Sequence, residues 1–205
     1  METYPLLLVL FDFLPTFAFL AGGLYLVRMV RLGRGKSMGW LALAGVLLVF
    51  AGGFSKALWK LMVTAASVDL QWLAQVQFVL SAIGFLGLFG AVLSLVRRDG
   101  KGGPVLAIAS WKIPFLFVMT VASLGAEGIL AYLAFKRKVL PAAVGLVLGV
   151  LGILGMGALA SADQTLAMQW VEETVNTIGQ LGFMLGCIFL YRDCKTAGCE
   201  KPAGD

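Results

Sequence analysis

The chain has 205 residues, of which 60% are hydrophobic and 13% charged, against about 45–50% and about 25% in soluble domains. That much apolar surface cannot be hidden in one small core, which excludes an ordinary water-soluble domain. The absence of histidine excludes His-ligated haem, His-containing metal sites and Ser-His or Cys-His nucleophile pairs within the chain.

Six apolar runs recur, each long enough to cross a hydrocarbon layer of roughly 30 Å. The expected fold class is therefore an all-α, polytopic membrane helix bundle with six transmembrane helices. The first run, 5–30, follows Met1-Glu2-Thr3-Tyr4, and the lack of a basic n-region argues against a cleaved signal peptide. Only Asp12 and Arg28 interrupt it, and the basic stretch Arg31–Lys36 reads as a loop that anchors topology. Spans at 39–64 and 71–96 complete a first three-helix unit, 1–98.

Residues 99–104 are rich in glycine, proline and charge and read as a linker. The second unit is 105–191. Its first run holds Lys112 and Pro114 and is too long for one perpendicular crossing, so 105–111 is taken as an interfacial lead-in and 112–135 as the span. Spans at 139–160 and 166–191 follow. The tail 192–205 is polar and expected to be disordered. Cys194 and Cys199 lie in it, and the sequence leaves open whether they pair; two thiols alone make a poor zinc site.

Trp40, Trp59, Trp72, Trp111 and Trp170 all fall near ends of apolar runs, as in an interfacial aromatic belt. Sliding the second half back by 98 residues aligns Trp72 with Trp170, Gln75 with Glu173, and Gly84-Phe85 with Gly182-Phe183. This suggests a 3+3 duplication. With three helices per unit and strict alternation across the bilayer, the second copy would be an inverted repeat. The same alternation divides the Lys and Arg residues eight against seven between the two faces, with Lys56 inside a span. The whole chain then casts no vote on orientation. The first half places the N-terminus outside, in what is expected to be a multi-pass protein of a prokaryotic plasma membrane.

Charges inside spans are costly, which makes them the first functional candidates. Under strict alternation Asp12, Lys56 and Glu127 share one half of the membrane, with Gln75 and Gln77 at a similar level and Lys60 one turn nearer the interface. Glu173 and Asn176, with Glu172 and Lys112, fall in the opposite half. Lys60, Lys112, Glu172 and Glu173 lie close enough to helix ends for long side chains to snorkel. Thr120, Ser123 and Glu127 share one face of their helix, as do Glu173, Asn176 and Gln180 of theirs. Gly84, Gly87 and Gly90, then Gly145, Gly149 and Gly152, then Gly179, Gly182 and Gly186 form small-residue faces suited to close helix packing.

The function expected from this pattern is a small carrier of a solute or ion, proton- or cation-coupled, with Asp12, Lys56, Gln75, Gln77, Glu127, Glu173 and Asn176 at its site. The alternative is a non-transporting subunit or receptor-like module that docks partner helices, or a second copy of itself, through its glycine faces. An enzyme is disfavoured, because the adjacent Glu172 and Glu173 point about 100° apart on a helix and cannot share one reacting atom. The expected partners are the bilayer and a small solute, without nucleic acid, metal or cofactor.

Overall fold

A computed structural model describes residues 5–96, 113–159, 163 and 165–198, with backbone alone for 113–116. The described residues form α1 (Leu6–Phe11), α2 (Phe13–Ala66), α3 (Gln71–Val96), α4 (Ile113–Lys136), α5 (Leu140–Leu159) and α6 (Leu166–Ala197), with no strand among them. Five stretches are long and apolar enough to cross a membrane: Leu6–Ala66, Gln71–Val96, Phe117–Lys136, Leu140–Leu159 and Leu166–Ala197. The boundary between α1 and α2 falls at Asp12. Pro15 follows three residues later and offers no N–H to the carbonyl of Phe11, which explains an interruption at that turn.

The first stretch is bent double. Gly35 has φ 84° and ψ −176°, a conformation open essentially to glycine alone. The helix reaches it through Arg34 and resumes at Lys36, so the basic loop expected at Arg31–Lys36 shrinks to one non-helical residue. The two limbs then pack antiparallel. Gly23 meets Val46, Gly53 meets Thr16, and Phe13 and Phe17 meet Phe54 and Phe50.

Paired contacts set the direction of every other helix. The second limb of α2 and α3 run antiparallel, Gly45 on Gly84 and Gly52 on Ser81. Antiparallel packing also joins α5 to α6, Gly145 on Gly182 and Gly152 on Gly179. The tight turn at Arg137 and Lys138 makes α4 antiparallel to α5. The first limb of α2 runs parallel to α6, since Phe11 meets Trp170, Phe19 meets Phe183 and Tyr25 meets Tyr191. It follows that α3 and α4 point the same way.

Val96 and Ile113 therefore lie at opposite ends of the bundle, joined by residues 97–112, which are outside the described residues. Sixteen residues reach up to about 55 Å when extended, enough to cover the roughly 39 Å length of α3. The reversal between α3 and α4 on which the expected inversion rests is thus not seen. Gly45 packs against the carbonyl of Gly84 and Gly145 against that of Gly182, and Phe85 and Phe183 both pack on Phe19.

The termini of the described chain also separate. Leu6 lies at what we call the N end of the bundle and Ala197 at the C end. Nine of the eleven described Lys and Arg residues, Arg28, Arg31, Arg34, Lys36, Lys136, Arg137, Lys138, Arg192 and Lys195, gather toward the C end. Only Lys56 and Lys60 lie toward the other, so the described Lys and Arg residues do not show the even split expected from alternation. Nor is the start of the expected disordered tail disordered. α6 continues to Ala197, Cys194 is buried in the core, and Arg137 pairs with Asp193 and donates to the carbonyl of Gly198. The linker 99–104, the lead-in 105–111, Trp111, Lys112 and Cys199 lie outside the described residues.

Candidate functional site

Two antiparallel limbs hinged at Gly35 bring Asp12 opposite Lys60, and the parallel α6 brings Glu173 alongside. The Lys60 Nζ lies 2.6 Å from Asp12 Oδ2 and 3.2 Å from Glu173 Oε1. The three residues are 6%, 7% and 5% exposed. The carboxyl groups of Asp12 and Glu173 also come within hydrogen-bonding reach of each other, and Lys56, half-buried, adds positive potential at Glu173. The network sits roughly 10 Å, about two helical turns, inside the N end. Above it Phe11 packs on Trp170, and Trp59 Nε1 donates to Asp69 Oδ1 at 2.8 Å. Thr165 caps α6 by accepting from the Met168 amide.

Asp12 and Glu173, expected in opposite halves of the membrane, are thus partners. Strict alternation reverses α4, α5 and α6 relative to the directions their contacts give, and with them the depth of every ionisable group on those helices. The exchange of Lys56 for Lys60 as the joint has a separate, local cause: the fold at Gly35 sets the hairpin register, which puts Lys60 opposite Asp12 instead of leaving it to snorkel. Gln75 and Gln77 are half-buried on α3, the Gln77 backbone packing on Gly52, and neither belongs to the ion-pair network. Asn176 is half-buried on α6, also outside that network.

Glu127 stands apart. Its carboxylate lies against Gly149, the middle of α5, so it sits near the centre of the bundle and not in Asp12's half. It is 5% exposed, and no hydrogen bond reaches its Oε2. Cys187 of α6 is close enough to feel its charge. Ser123, one turn earlier, donates to the carbonyl of Thr120. One face of α6 presents Gln169, Glu173, Thr177 and Gln180, spaced by 4, 4 and 3, with Thr177 and Gln180 on the side toward Glu127. Gln169 Oε1, Thr177 Oγ1 and Gln180 Oε1 are buried without hydrogen-bond partners.

No group of three or more His, Cys, Asp or Glu able to hold a metal ion occurs among the described residues. Among the described residues, five helical stretches long and apolar enough to cross a membrane are consistent with a multi-pass membrane protein. Comparison of the chain with protein-family models, with curated proteins and with solved structures finds no match.

Proposed function

We propose that the protein is a small carrier that moves a small solute or ion, coupled to protons, between its two three-helix units. The observation that carries this reading is the buried Asp12–Lys60–Glu173 network. Asp12 and Lys60 come from the first unit and Glu173 from the second. A buried ion pair adds little stability over apolar packing of the same shape, so three such groups inside a membrane protein point to use. Carriers built from repeats hold their solute and coupling-ion sites between the repeats. Two ionised carboxylates in contact repel, and one proton between Asp12 and Glu173 leaves the triad neutral beside Lys60. Release of that proton gives a net charge of −1, which Lys56 is placed to offset.

In this reading each limb of α2 makes a separate crossing. The basic C end faces the cytoplasm by the positive-inside rule, which sets the N-terminus out and the C-terminus in. The test is a thermal-unfolding screen of the purified protein against ions, amino acids, sugars, vitamins and nucleosides. A ligand at 100 times its dissociation constant stabilises by about 2.7 kcal/mol. Any hit then goes to uptake in proteoliposomes. Asp12→Asn is expected to lose both the shift and pH-gradient-driven uptake while keeping most of its stability. A variant that binds and transports as before makes the network structural.

A second reading, a subunit that docks a partner helix, draws on one feature: an apolar groove along α5 and α6 lined by Leu140, Val144, Leu148, Ile178, Leu181 and Leu185. Its sign is a stable complex with another membrane protein and no solute binding.

A further inference from the structure

The ion-pair network leaves Glu127 unused. Its carboxyl is 5% exposed, packed on the backbone of Gly149 at the middle of α5, and held by no ion pair among the described residues. Near it lie Cys187 on α6, Gly149 on α5 and, from α3, Phe89 against the neighbouring Gly125. No Lys or Arg among the described residues faces it. A bare negative charge there is costly, so the carboxyl requires a proton or a cation to neutralise it.

The surroundings favour the proton. A bound cation such as Ca2+ takes six to eight oxygens, whereas this site offers one carboxyl and no metal-holding group among the described residues. A route to it exists along α6. Thr177 Oγ1 and Gln180 Oε1 follow Glu173 on the same face, each buried and without a protein partner. Buried oxygens of this kind are satisfied by water, and Gln180 lies level with Gly149, because Gly149 packs against Gly179 and Gly182.

We propose that Glu127 is a proton-binding site at the centre of the bundle, reached from the Asp12–Lys60–Glu173 network by a hydrated path along the Thr177 and Gln180 face of α6. The site rests on the carrier reading for its purpose, as the coupling position. Its occupancy by a proton does not depend on that reading and is measured with no solute present.

The experiment is infrared difference spectroscopy of the full chain in lipid vesicles, wild type against Glu127→Gln, over a pH series. The expected result is a carboxylic-acid C=O stretch in the wild type that is missing from Glu127→Gln, shifted but retained in Glu127→Asp, and lost as pH rises. The subtraction removes any proton shared by Asp12 and Glu173. In parallel, a hydrophobic carbodiimide, which reacts with protonated carboxyls, is expected to mark the Glu127 peptide in the wild type, so a variant that fails to fold does not spoil the test. A band unchanged in Glu127→Gln, no such band at any pH, or displacement of the band by Na+ or K+ at fixed pH would each overturn the assignment. If uptake assays fail while the band behaves as expected, the carrier reading falls and the proton site stands.

Discussion

Replacing Lys60 with methionine is expected to lower the unfolding free energy of the purified bundle by about 3–5 kcal/mol. The substitution keeps the length of the side chain and removes its charge, leaving Asp12 and Glu173 buried against each other with no cation between them. Lys56→Met should cost less than about 1 kcal/mol, because that side chain is only half-buried and makes no close ion pair. The triple replacement Asp12→Asn, Lys60→Met and Glu173→Gln should recover most of the loss, since exchanging a whole buried network for neutral groups is often close to neutral. Unfolding in mixed detergent micelles, single variants beside the triple, checks all three. Equal losses for Lys56→Met and Lys60→Met would mean that the second limb of α2 is in a different register.

The second large effect lies at the glycine contacts. A Cβ at Gly145 would stand 2.6 Å from the carbonyl oxygen of Gly182, and one at Gly45 would stand 2.7 Å from that of Gly84. The obstructing atoms are backbone, so relief requires the helices to part. Gly145→Ala and Gly45→Ala are each expected to destabilise by about 1–3 kcal/mol. Gly90→Ala and Gly128→Ala meet nothing within 4 Å and should be neutral or gain up to about 1 kcal/mol from helix propensity. The contrast among four chemically identical substitutions isolates packing, because only the neighbours differ.

Much of this architecture is legible in the amino-acid sequence, and the remainder is illegible for one main reason. Hydropathy locates a helix but carries no direction, so the spans at 71–96, 139–160 and 166–191 agree closely with α3, α5 and the membrane part of α6. Strict alternation, in which each apolar run reverses the last, is the assumption that assigns direction. That assumption fails between Val96 and Ile113, and one failure there turns over the whole second unit. From it follow the mistaken inversion, the even split of basic residues, and the misplacement of Glu127 and Glu173.

Local turn chemistry hid the other part. Arg31–Lys36 looks like a polar loop by composition, yet one glycine at φ 84° suffices to reverse a helix whose flanking basic residues are long enough to stay in the turn. Arg31 lies over the Trp40 ring and Arg28 over Tyr25, which accommodates those charges beside aromatic faces at the C end. Polar character in the tail likewise concealed a helix to Ala197. Its inner face carries Leu190 and Cys194 into the core, and Arg137 ties Asp193 to the α4–α5 turn.

The claim on which the rest depends is that the two units run in the same sense, and side-specific cysteine labelling tests it directly. Lys36→Cys, Val68→Cys and Lys138→Cys, each introduced singly after replacing the native cysteines with serine, place one thiol at an exposed position in a turn. Sealed cells or vesicles are treated with a membrane-impermeant maleimide, before and after permeabilisation. The structure predicts that positions 36 and 138 react from one side and position 68 from the other. Labelling of positions 36 and 138 from opposite sides would contradict it and restore the alternating six-span path.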